Sequence, residues 1–446
     1  MKQLLNIIIL GCMLTLTACD KFLDVVPVGS VIPSTQSEFR ALLARSYKDV
    51  STLRDRGMAC LRTYELKALE GEYSNFDAFR DIENWNDDGR NPNSYSFEWQ
   101  RYYNIIFISN EVIAAGKGMK DGTPEGISQL VAEAYTLRAY MHFILVNLFG
   151  QPYGMEGAGA SKAIPLKLDN NLEGVLKRNT LDEVYAAIQM DLDKAYELMN
   201  VEQWEANYVY RFNTIALDAL QAKVYLYTQR WEDCLKCCNK VLGKKNTLED
   251  FNKAEALQPT AIQSVENILA LEQSITSGFK QDMVVMKEFA EKYGEGDLRL
   301  GKYFGAPESN GTLPIVKGGS NEYLCSFRTG EVMLTAAEAA ARLNQMSVAK
   351  QHLLKLMQHR YTQKAYEAKK KAVDAMNQQA LTDEILAERE RELALEGHSW
   401  FDLRRTTRPQ LTKVIDGKQY VLEHNDPRYT LQIPQEALDV NPGLRN

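Results

Sequence analysis

Surplus positive charge is missing from this chain. Its 446 residues carry 52 Lys and Arg against 59 Asp and Glu, a formal net charge of −7. Nucleic-acid binders gain affinity by releasing counterions against a basic surface, so that class of partner is excluded. The one basic run, Lys369-Lys370-Lys371, reads as the solvated face of a helix. Histidine is scarce, with five in all, and none stands at metal-ligand spacing from another. The H-E-x-x-H, G-x-S-x-G, P-loop and dinucleotide-glycine signatures are absent too. No metal centre and no cofactor are implied. Cysteine is sparse as well: of seven, Cys12 and Cys19 fall in the first nineteen residues. The other five, Cys60, Cys234, Cys237, Cys238 and Cys325, are odd in number, so at least one is expected to be free. Cys234-x-x-Cys237-Cys238 lacks the second ligand pair of a zinc site and is expected to pack in a core.

Long hydrophobic runs are missing too. The apolar stretch Leu4 to Leu16 follows Lys2 and is shorter than the roughly 20 residues of a spanning helix. It reads as a secretory signal. The signal closes on Leu16-Thr17-Ala18-Cys19, which resembles a bacterial lipobox. The expected layout is therefore a signal peptide over 1–18, a lipidated tether over 19–36 beginning at an acylated Cys19, and a body over 37–446.

What the chain does have is helical periodicity. Leu130, Ala134, Leu137, Ile144, Leu145 and Leu148 recur three and four apart, predicting a helix of about five turns. Gly150 and Pro152 stop it. Ala132, Ala134 and Ala139 permit close approach of a neighbour, and Glu133 and Arg138 are expected on the wetter side. Thr180 and Glu183 form a capping box ahead of a helix reaching Met199. Asn213 to Thr228 and Trp231 to Leu242 read as a helical hairpin turning at Gln229-Arg230. Ala222 and Cys234 stand at its crossing positions, in the manner of a tetratricopeptide unit. A similar hairpin is expected over Glu331 to His359, turning at Leu343-Asn344-Gln345, and a last helix over Asp383 to Leu403. The run Glu388-Arg389-Glu390-Arg391-Glu392 is expected to be a salt-bridged surface stripe rather than a glycosidase acid pair.

Residues 71–98 lack that period and mix aromatics with Asn, Asp and Gly, predicting a long structured loop. Long loops in compact domains are commonly functional. Sugars offer apolar ring faces and dense hydroxyls, which aromatic platforms flanked by Asp, Asn and Arg complement. Tyr73, Asp77, Arg80, Trp85 and Tyr95 are therefore the candidate ligand residues. Trp99 opens the following helix and continues its inner stripe.

Several segments in order resemble the SusD/RagB outer-membrane lipoproteins of Bacteroidetes. They are C-D-K-F-L-D-V-V-P from Cys19, the Trp99-Tyr103-Ile106-Asn110 helix and A-E-A-Y-T-L-R-A-Y-M-H-F-I-L-V-N-L-F-G-Q-P-Y. R-N-T-L-D-E-V-Y, E-R-E-R-E-L-A-L-E-G-H-S-W-F-D-L-R-R and the closing I-P-Q-E-A-L-D-V-N-P follow. The resemblance implies a mainly α fold, with tetratricopeptide-like hairpins (mainly 99–243 and 331–405) forming a superhelical scaffold. Against it would pack a loop-rich ligand-binding half (71–98 and 244–325). It also implies a non-enzymatic lipoprotein, surface-exposed on the outer membrane and held by its lipid anchor. Such a protein captures oligosaccharides for a SusC-type TonB-dependent transporter. A peptide-capturing RagB-type role, or a helical scaffold without a small ligand, is the alternative. Because the family's ligand site draws on the middle segment, Tyr293 joins the candidates.

Overall fold

The computed structural model describes residues 33–70, 75–171, 173–174, 176–309 and 311–445. Cys19 with the expected signal and most of the expected tether, and Tyr73, lie outside the described residues, and the tether's last residue, Gln36, already begins a helix. The first described helix, Gln36–Ser51, begins at a capping box in which Thr35 and Glu38 satisfy each other's backbone N–H groups. Thr180 and Glu183 do the same at the start of Leu181–Leu198.

The long helix expected from its periodicity spans Pro124–Phe149, with Thr123 as N-cap and Pro124 in its first turn. It packs between Gln100–Ala115 and Leu181–Leu198. Its flanks are not wet. Glu133 accepts from Arg40 at 2.7 Å, Tyr47 at 3.1 Å and Gln129 at 3.1 Å. Arg138 is bidentate to Asp191 and donates to Asn110 at 2.7 Å. Both side chains are buried, because neighbouring helices supply the opposite charge or amide that makes burial tolerable.

Two helical hairpins form where expected. The first is Thr214–Tyr227 with Trp231–Lys244, and the second is Thr329–Arg342 with Met346–Gln358. Gln229 and Asn344 take the left-handed turn conformation at φ 58 in both. The Cys234 thiol donates to the Ala222 carbonyl at 3.3 Å, which marks the crossing point of the first pair. Thr329–Arg342 packs on Trp231–Lys244 and again under Gln378–Glu392, so the hairpins stack as a tetratricopeptide-like array. All five described cysteines are free and buried.

The last helix is broken rather than continuous to Leu403. It ends at Glu392 and resumes as Ser399–Arg405. Between them Leu395 and Gly397 adopt φ 64 and φ 75. A Cβ on Gly397 would stand 2.4 Å from the Arg56 carbonyl oxygen, so glycine permits the close approach of that backbone. The E-R-E-R-E run is likewise not a surface stripe: Glu388, Arg389, Arg391 and Glu392 are buried. Glu392 receives Arg328 at 2.7 Å, Arg360 at 2.9 Å and Arg299 at 3.1 Å. Around it Arg299 pairs with Asp297 and Glu388, Arg328 with Glu266 and Glu396, Arg360 with Glu266, Arg391 with Glu388, and Lys317 with Glu396. Five cations and five carboxylates thus balance inside the protein, joining the middle segment to the C-terminal helices.

The sheets are small. Leu66–Ala68 pairs antiparallel with Met283–Val285, Asn267–Leu269 with Phe327–Arg328, and Leu411–Ile415 with Lys418–Leu422. The last is a hairpin whose Asp416-Gly417 turn has both residues at positive φ, the geometry that an Asp-Gly pair encodes. Tyr429 ends a 3-10 turn that opens at Pro427.

Candidate ligand-binding site

Residues 75–98 are not all loop. Phe76–Glu83 is a helix that turns Phe79 and Ile82 inward. Phe79 meets Phe279 at 5.4 Å and Tyr95 at 4.7 Å between ring centroids. The pairing of Leu66–Ala68 with Met283–Val285 fixes this helix beside the middle segment. The Asn75 amide then donates to Asp282 at 2.7 Å across the junction.

The solvent side of that junction carries Asn75, Asp77 and Arg80, with Tyr95 half-buried next to them. Asp77 and Arg80 pair at 2.6 Å, and the guanidinium lies 5.0 Å from the Phe76 ring centre. Arg54, exposed and assigned no role by the sequence, stacks on Tyr95 at 5.1 Å. No local pattern signals this contact, because the strand and helix pairings that place Tyr95 there are non-local. The arrangement offers a tyrosine ring edged by a guanidinium, with carboxylate and amide groups nearby. Those are the contacts that a pyranose ring and its hydroxyls require.

Two expected platforms are core residues instead. Trp85 is 0% exposed, and its indole donates to the Arg62 carbonyl at 2.9 Å. Its backbone adopts φ 60. Tyr293 is 6% exposed, donates to the Arg391 carbonyl at 2.8 Å, and packs against Phe289 and Phe304. Neither presents a ring face to a ligand. Trp85 is a candidate on composition and Tyr293 on the family's use of the middle segment, and neither signal separates a platform from a pin.

Among the described residues no group of three or more His, Cys, Asp and Glu could hold a metal ion. The carboxylates of the E-R-E-R-E run are unsuited to acid catalysis, which needs one carboxyl raised. Burial opposes their ionisation, but Arg299 and Arg391 outweigh it and hold Glu388 at about 2. Arg360 and Arg328 likewise outweigh burial and hold Glu392 below the ordinary range.

Residues 21–226 match the family model SusD-like_3, described as starch-binding and associating with the outer membrane. Residues 289–446 match the SusD_RagB model, described as the SusD family. The chain belongs to the SusD/RagB family. SusD-like protein P2 of Formosa agariphila is 25% identical over 307 residues, a match covering 64% of this chain and 57% of that protein. A SusD superfamily protein of Bacteroides thetaiotaomicron superposes with a TM-score of 0.76 at 18% identity, covering 92% of this chain and 99% of the other. A SusD-like carbohydrate-binding protein of Bacteroides vulgatus gives 0.72 at 17% identity, covering 92% and 97%. A laminarin-binding SusD-like protein gives 0.63 at 16%, covering 84% and 92%. No helix among the described residues is long and apolar enough to cross a membrane.

Proposed function

We propose that this protein is a non-enzymatic lipoprotein that captures oligosaccharides at the outer-membrane surface and passes them to a SusC-type TonB-dependent transporter. The observation that carries this reading is the match of residues 21–226 to a starch-binding, outer-membrane-associated family. The ligand would sit across the Asn75–Asp282 junction. The Tyr95 ring, held by Arg54, would support a sugar face, and Asp77 and Arg80 would bind its hydroxyls. Calorimetry with starch- and laminarin-derived oligosaccharides tests this. Binding is expected, and Tyr95→Ala should weaken it by roughly fivefold, the ~1 kcal/mol scale of an aromatic contact. Binding of peptides and of no oligosaccharide would overturn the glycan reading in favour of peptide capture.

Cys19 would carry the anchor. A single acyl chain holds a protein only marginally, whereas two or three chains, at about 0.8 kcal/mol per buried methylene, hold it firmly. Radiolabelled palmitate is expected to enter the full-length protein, and Cys19→Ala should abolish incorporation and move the protein out of the membrane fraction. Unchanged fractionation in that variant would sink the anchor.

A further inference from the structure

A second aromatic surface stands apart from that junction, on the segment joining Leu181–Leu198 to Thr214–Tyr227. It is rigidly held. The Asn200 and Val201 N–H groups both donate to the Gln129 side chain at 3.0 Å. The Trp204 indole donates to the Phe212 carbonyl at 2.9 Å, and Ala270 N–H donates to the Val209 carbonyl at 3.1 Å.

On this base Arg211 is ringed by aromatics. Its guanidinium carbon lies 4.0 Å from the Tyr208 ring centre, 5.3 Å from Trp204 and 5.5 Å from Tyr210. Nε and Nη2 donate weakly to the Tyr210 hydroxyl at 3.4 and 3.3 Å. Nη1 has no acceptor, and the cation has no carboxylate, among the described residues. That contrasts with Arg138, Arg299, Arg328 and Arg360, each of which the fold supplies with an acid. Arg40 stacks on Trp204 at 5.9 Å, but Glu133 already neutralises it. Of the nearby acids, Glu202 is taken by Lys244 and Glu205 is exposed. Tyr208 is 38% exposed, while Trp204 and Arg211 are half-buried.

A fixed guanidinium edge without an anion, set among tyrosine and tryptophan rings at the surface, fits one ligand chemistry well. A pyranose carrying a carboxylate or sulfate can lay its apolar face on a ring and its acid on Arg211. We propose that Trp204, Tyr208 and Arg211 form a second glycan subsite selective for acidic sugar residues. It uses none of the groups at the Asn75–Asp282 junction, so it stands or falls separately from that site.

The test is calorimetry, with tryptophan fluorescence in parallel, of the folded full chain against polygalacturonate and against neutral dextran of similar length. Polygalacturonate is expected to bind, and to bind less well at high salt because the contact is ionic. Tyr208→Ala and Arg211→Gln should each weaken it by roughly five- to tenfold, with Tyr208→Phe restoring it. Tyr95→Ala should leave it unchanged. Tyr208 is exposed, so its variant folds even if Arg211→Gln does not. Equal binding by wild type and Tyr208→Ala would overturn the subsite. So would no binding of polygalacturonate, or binding of phosphatidylglycerol vesicles in its place.

Discussion

Glu392→Gln is expected to destabilise the protein by about 3–5 kcal/mol, the cost of removing one partner from a buried ion cluster. Its carboxylate is 0% exposed and is shared by Arg299, Arg328 and Arg360. Glutamine offers one acceptor where two charged oxygens stood, leaving three guanidinium groups under-compensated in a low-dielectric site. Glu390→Gln, two residues away in the same run, is the internal control. That side chain is 25% exposed and pairs with Lys292, so the expected cost is ~0–1 kcal/mol. Urea unfolding of the two variants checks the contrast. Equal midpoints would mean that the cluster contributes no more than a surface pair.

Acid should unfold the protein steeply for the same reason. Glu388 and Glu396 ionise at about 2 in the folded state instead of the ordinary 4.5, because their guanidinium and ammonium neighbours outweigh burial. A carboxylate with a depressed folded pKa binds fewer protons folded than unfolded. Its stabilisation is therefore complete above the unfolded value and is lost as pH falls towards about 2. Each of the two contributes on the order of 3 kcal/mol, and Glu392 acts in the same direction.

Asp55 and Glu65 act oppositely. Burial raises both to about 7, only partly offset by Tyr102 at Asp55 and by Cys60 and Ser399 at Glu65. Their contributions are present below the unfolded value and fade as pH rises through 7. Denaturant midpoints measured across pH should therefore rise from pH 2 to 4.5 and fall again as pH rises to 7. A flat profile below 4.5 would show that the buried carboxylates are not held ionised.

Local chemistry wrote much of the fold openly. Thr180 with Glu183 fixed a helix start, and the spacing of Leu130, Ala134 and Leu137 fixed the central helix. The paired helices around Gln229-Arg230 announced a hairpin. Asp416-Gly417 is an equally legible turn signal between the two strands of the last hairpin. Phe76–Glu83 was obscured by its brevity, since eight residues among Asn and Asp give little more than two turns of period.

The candidate site was half legible. Asp77, Arg80 and Tyr95 come together as a surface, but Asp282 joins them through strand pairing that spans more than two hundred residues, and Arg54 stacks on Tyr95 from the start of a separate helix. Trp85 and Tyr293 carry the same composition signal as a sugar platform, yet each side chain's hydrogen bond goes to a buried backbone carbonyl.

The sequence by itself determined the helical class and the hairpin units, because caps and periods act over a few residues. Only the tertiary structure decided which charges are buried and which aromatics face water. Glu390 and Glu392 are indistinguishable in one dimension, and what separates them is whether Arg299, Arg328 and Arg360 arrive from distant segments to enclose the side chain.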